Sequence, residues 1–183
     1  GMLAELPDSR AVGDTLAETA DTLGCPVATL DTHEALASTE SVQLALTVAG
    51  VAAARHLVAE AGPPDAVMGL SIGAWPAAVI AGAIDYAEAL RLVRLRGQLM
   101  AEAFPQGYGM SAVIGLDETT VRALIADLYR DEAPLYVGNV NSDTQIVVAG
   151  HEAGLERLAE QATERGASRV QRLDMAVPSH CEL

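Results

Sequence analysis

"DAVMGLSIGAWPAAVIAG", residues 65–82, is the stretch whose reading decides the fold. A short apolar run leads into Gly69-Leu70-Ser71-Ile72-Gly73, and an alanine-rich segment follows at once. A serine between two glycines, where a strand gives way to a helix, is the pattern of a nucleophile elbow. Strand and helix backbones crowd together at such a turn, so glycines are expected where no side chain fits. The hydroxyl then projects at a helix N-terminus, where free N–H groups favour developing negative charge. Ser71 is therefore a candidate nucleophile, and the N–H of Ile72 a candidate oxyanion donor. The five residues alone also fit a serine that only caps its helix. Pro76 falls at the limit of the first turn, where its missing N–H is tolerated.

Working outward, "PPDAVMGL" (63–70) reads as a short strand, and the helix after Ser71 runs to about Ala81. Upstream, residues 13–24 and 41–61 read as helices, the second closed by Gly62. Downstream, Asp85 is a plausible N-cap for a helix over 86–104. This succession predicts part of a parallel α/β sheet. From residue 108 the texture changes. "MSAVIGL" (110–116) alternates as a strand, and Asp117 opens a helix over 117–130. "PLYVGNVN" (134–141) and "TQIVVAG" (144–150) are two strands around Asn141-Ser142-Asp143, a turn signal. A helix over 152–166 and a strand over 168–175 complete the order βαββαβ. That order predicts a ferredoxin-like subdomain, 108–175, inserted into a larger α/β domain made of 1–107 and 176–183.

The net charge of −14 speaks against nonspecific nucleic-acid binding, which needs clustered cations. All 11 basic residues are arginine, so any anion held by charge must meet arginine or histidine. Apolar runs are broken short of the ~20 residues of a membrane span, and no basic-then-apolar leader opens the chain. A cytoplasmic protein with no membrane partner is expected. Cys25 and Cys181 fit no metal spacing and read as two reduced thiols.

In helix 86–104, Ala89, Leu92, Val93, Leu99, Met100 and Ala103 fall on one arc, with Arg96 in its middle. A guanidinium there is costly unless it meets a partner, because it keeps its proton. Its planar fork suits a carboxylate. Periodicity leaves three partners open: a core Asp or Glu, solvent reached by snorkelling, or a ligand's carboxylate. A serine nucleophile also needs a base. Of His33, His56, His151 and His180, the last lies in an irregular "VPSHC" segment where the chain rejoins the larger domain, and such returns often carry catalytic groups. Asp174 and Glu182 are orienter candidates by proximity.

"GLSIGAWPAAVIAGAIDYAEALRLVRLRGQLM", "GMSAVIGLD", "VGNVNSDTQIVVAG" and "AVPSHCEL" resemble, in that order, the malonyl-CoA:acyl carrier protein transacylases. "SIGAW" and "PQGYGM" look closest to the malonyltransferase subunit of bacterial malonate decarboxylase. The resemblance implies Ser71 as acylated nucleophile, His180 as base, Arg96 as partner of the malonyl carboxylate, and Gln43 as a residue lining the site. It implies an α/β-hydrolase-like domain with a ferredoxin-like one. It also implies no resident cofactor, malonyl-CoA and a carrier-bound phosphopantetheine-type thiol as substrates, and an acyl carrier protein or other decarboxylase subunits as partners. Leu70 and Ala74 depart from the His and Glu of most such enzymes, so those roles do not carry over. The family opens with a strand and a Gly-Gln-Gly segment and continues well past the histidine. The 183 residues are therefore expected to be part of a longer chain. Arg165, Arg169 and Arg172 offer a cationic patch for an acidic carrier. A malonyl-CoA:acyl carrier protein transacylase of fatty-acid or polyketide synthesis, a serine esterase or thioesterase with the same elbow, and a chain that only binds a partner are the alternatives.

Overall fold

The computed structural model describes residues 1–103, 106–175 and 177–183, in two units, Gly1–Ala101 and Glu102–Leu183. It is a mixed α/β fold with a small antiparallel sheet. The first unit is helical. Its helices are α1 (Arg10–Leu23), α2 (Thr39–Ala61), α3 (Ala74–Ile80) and α4 (Tyr86–Ala103). Ser9 caps α1 by accepting from the N–H of Val12, and Gly24 closes it in the left-handed region that favours glycine.

Helix α2 is the spine of this unit. Leu44, Ala45, Val48 and Val51 are buried in a core shared with Leu90 and Val93 of α4. By length and composition α2 is apolar enough to cross a membrane, which corrects the expectation that every apolar run stops short of that length. Its apolarity is accounted for by packing, because α1 and α3 both lie against it. A polar lock supplements the apolar core. The Tyr86 and Thr19 hydroxyls are 2.7 Å apart, Arg55 lies 4.8 Å from the Tyr86 ring centre, and Arg55 also pairs with Glu18 at 2.7 Å.

The expected strand at 63–70 does not form. A strand is defined by its ladder partner, and the only sheet among the described residues lies in the second unit. The expected parallel sheet is therefore absent from the described residues. Residues 63–70 run as irregular backbone, leaving Met68 95% and Leu70 70% exposed. With α2 and α3 they wall an apolar groove of about 630 Å³.

The second unit follows the expected order: β1 (Tyr108–Ile114), α5 (Glu118–Leu128), β2 (Leu135–Ser142), β3 (Gln145–His151), α6 (Glu152–Glu164) and β4 (Arg169–Arg172). The sheet order is β2-β3-β1-β4 and every pairing is antiparallel. Asp117 caps α5 by accepting from Thr120 N–H at 2.7 Å. The hairpin turn falls on Asp143-Thr144, two residues at most from the expected centre. The alternation of β1 divides two cores. Val113 joins Leu124, Ile146 and Leu158 on the helical face, while Met110 and Ala112 meet Val147, Leu173 and Cys181 on the other. Residues 177–183, expected to return to the larger domain, group with this second unit.

Candidate active site

Ser71 opens a tight turn, Ser71–Gly73, that runs straight into α3. Its φ is +52°, a conformation that L-residues rarely adopt. A Cβ on Gly69 would lie 2.0 Å from the carbonyl oxygen of Gly73 and 2.6 Å from the nitrogen of Ala74. Only glycine lets the chain double back so closely. At Gly73 a Cβ would meet nothing within 4 Å, so the crowding expected of both glycines is confined to the first. Leu70 and Gly73 occupy the N-cap positions of the turn and of α3. Ser71 stands at neither, being the first residue of the turn. Ile72 N–H follows it in the first turn, as the elbow pattern expects.

Helix α2 also carries Gln43, which meets the second candidate group of the first unit, Arg96. Gln43, 6% exposed, accepts a hydrogen bond on Oε1 from Nη1 of Arg96. Its Nε2 donates to Thr39 Oγ1 at 3.2 Å and to Met100 Sδ at 3.5 Å. The amide is thereby used on both sides, which holds the guanidinium on one bearing. Gly50, about 10 Å along α2 from Gln43 at 1.5 Å per residue, touches Pro76 of the elbow helix. One helix thus supports both groups.

The expected apolar arc of α4 is turned. Tyr86, Ala89, Leu90, Val93 and Gly97 are buried, while Leu99 is 55% exposed. Arg96 lies at the margin of the buried face rather than its middle, because the arc is fixed by what packs on it. Burial alone lowers the Arg96 pKa from its ordinary value, without depriving it of its proton. Among the described residues no carboxylate lies within ion-pair distance of it. Arg94, two positions back, has Glu40 at 3.4 Å. A core Asp or Glu as the partner of Arg96 is thus not what the first unit provides.

In the second unit, His180 has a φ of +59°. Ser71 and His180 are the only non-glycine residues with positive φ among those described. Backbone strain of this kind clusters where function requires it. Ser179, just before, donates to Met110 Sδ at 3.1 Å, anchoring the segment on β1. Burial pushes the neighbouring Cys181 thiol up. The other histidines have structural settings: His151 caps α6 through Nδ1, His56 lies 3.8 Å from Glu60, and His33 is exposed. Of the expected cationic patch, Arg165 pairs with Asp127 at 3.5 Å and Arg172 with Glu152 at 3.6 Å, so much of its charge is internally balanced. Among the described residues no His, Cys, Asp and Glu cluster could hold a metal.

Sequence reasoning missed Tyr86 and Gly97. Tyr86 sits among apolar neighbours with no pattern to mark it. Gly97 breaks a good helical run without a turn, which is a usable signal of close packing.

The acyl transferase domain family model matches residues 6–181. The malonyl CoA-acyl carrier protein transacylase of Escherichia coli (strain K12) is 39% identical over 189 residues, covering 100% of this chain and 61% of that protein. The solved structure of the same-named enzyme from Coxiella burnetii superposes with a TM-score of 0.93 at 37% identity, covering 100% of this chain and 59% of the other. A malonyl-transacylase in complex with a type II PKS acyl-carrier protein superposes with a TM-score of 0.87 at 37% identity, covering 95% and 58%. The chain spans about three fifths of the length of these relatives.

Proposed function

The chain belongs to the acyl transferase domain family, and on that premise we propose that it moves a malonyl group from malonyl-CoA to the thiol of an acyl carrier protein. The observation that carries this reading is Arg96: a half-buried guanidinium, aimed by Gln43, with no carboxylate of its own among the described residues. A fixed cation beside an acyl-transfer site selects an acyl group that ends in a carboxylate.

In the proposed cycle His180 takes the proton of Ser71 as the seryl oxygen attacks the thioester carbonyl. The oxyanion is met by the N–H of Ile72. The C–S bond then breaks, the CoA sulfur receives the proton from His180, and a malonyl-seryl ester remains. Attack by the carrier's phosphopantetheine-type thiol reverses these steps. Arg96, oriented by Gln43, holds the free carboxylate throughout. The cycle needs no resident cofactor.

In this reading the first unit is part of an α/β-hydrolase-like larger domain, and the ferredoxin-like part spans 108–175. The sheet order β2-β3-β1-β4 supports that second assignment. The wording "SIGAW" and "PQGYGM" favours the carrier subunit of malonate decarboxylase as acceptor, in the cytoplasm, alongside that system's other subunits.

Incubating the full-length protein and its Ser71→Ala variant with malonyl-CoA, followed by intact-mass analysis, tests the reading. A malonyl adduct in the parent, absent from the variant and discharged by a carrier thiol, is expected. Prompt release of free malonate without a carrier would identify a hydrolase instead.

A further inference from the structure

Helix α4 comes very close to α2 at Gly97. A Cβ there would lie 2.6 Å from Cα of Glu40, 3.1 Å from its Cβ and 3.2 Å from its nitrogen. Two of these atoms are backbone, so no side-chain rotation relieves the overlap. Glycine is also a poor residue for a helix interior, so its place here needs a packing reason. The contact is bracketed by polar ties. Arg94 pairs with Glu40 at 3.4 Å, Arg96 donates to Gln43, and Met100 receives the Gln43 amide at 3.5 Å. The hydrogen bond from Arg96 to Gln43, which aims the guanidinium, therefore crosses the gap whose width Gly97 sets.

We propose that Gly97 is a positioning residue for Arg96, and so sets the preference of the site for carboxylate-bearing acyl groups. The inference rests on the function proposed above. A methyl group at 97 lifts α4 from α2 by roughly 1 Å, a misplacement that costs on the order of 100-fold where geometry is catalytic. The loss falls on malonyl transfer, because an acetyl group makes no use of the guanidinium.

The test is the rate of acyl-enzyme formation with malonyl-CoA and with acetyl-CoA, in full-length parent, Gly97→Ala, Arg96→Ala and the double variant. Expected is a malonyl rate lowered about 10- to 100-fold in Gly97→Ala, with the acetyl rate within about 3-fold, and no further malonyl loss in the double variant over Arg96→Ala. Equal losses on both thioesters, an unchanged ratio, or additive losses would overturn the proposal. Should Gly97→Ala not fold, Glu40→Gln weakens the Arg94–Glu40 pair that brackets the same contact. A malonyl-selective loss there supports the proposal, and a parallel loss or none overturns it. If Arg96→Ala itself leaves malonyl loading intact, the functional reading fails first, and this inference with it.

Discussion

Arg96 and Arg94 sit two residues apart on one helix, yet among the described residues only Arg94 has a carboxylate: Glu40, at 3.4 Å. Arg96 is tied instead to the neutral amide of Gln43. A neutral partner orients a guanidinium without discharging it, whereas an internal carboxylate would compete with any anionic ligand. That difference sets Arg96 apart from an ion-paired structural arginine and fits the substrate role proposed for it.

Gln43→Glu exploits the distinction. The substitution is nearly isosteric but supplies Arg96 with an internal partner. Malonyl loading is expected to fall by about 10- to 100-fold, equivalent to about 1.5–3 kcal/mol, while acetyl loading is unaffected. Lowering the pH to protonate the new carboxylate should restore part of the malonyl rate. Loading measured with both thioesters across acidic pH checks this; equal losses on both would show only a damaged fold.

At the elbow, the two glycines should behave differently. Gly69→Ala places a methyl group 2.0 Å from the Gly73 carbonyl oxygen, against backbone that has nowhere to move. A destabilisation of about 2–4 kcal/mol and loss of acyl-enzyme formation are expected. Gly73→Ala meets open space and should stay within about 0.5 kcal/mol of the parent. Denaturant unfolding of both variants makes the comparison, and equal effects would contradict the geometry.

Tyr86 predicts an alkaline limit to stability. Burial pushes its pKa up to about 12 from 10.0, outweighing the opposing Thr19 hydrogen bond and Arg55 charge. The folded state thus favours the neutral phenol. Its contribution is complete below pH 10.0 and is lost as pH rises through about 12. Two pKa units correspond to about 2–3 kcal/mol as an upper bound. Urea unfolding over this window should show a steeper loss in the parent than in Tyr86→Phe. At neutral pH the variant should be weaker by about 1 kcal/mol, for the lost bond to Thr19.

What could be read from the sequence was local. Asp117, Gly62 and Gly166 mark helix ends because caps and left-handed closures depend on residues a few positions away. The elbow at Ser71 is equally local, and the hairpin erred by two residues at most. The failures share one physical cause. A strand at 63–70 needed a partner that the described residues do not supply, and the buried arc of α4 is chosen by its neighbours. The Thr19–Tyr86 bond joins residues 67 positions apart, and the Gly97–Glu40 contact is similarly remote, so no window of sequence reveals either. For Arg96, an unusual cation was legible, but not the neutral identity of the residue that holds it.

The central claim is that the Arg96 guanidinium recognises the carboxylate of an acyl group carried on Ser71. Intact-protein mass spectrometry after exposure to malonyl-CoA or acetyl-CoA, in the parent and in Arg96→Ala, tests it most directly. The expected result is malonyl loading reduced about 100-fold in the variant, in keeping with a lost charged hydrogen-bond pair of about 2–3 kcal/mol, with acetyl loading unchanged or improved. Undiminished malonyl loading in Arg96→Ala would contradict the account.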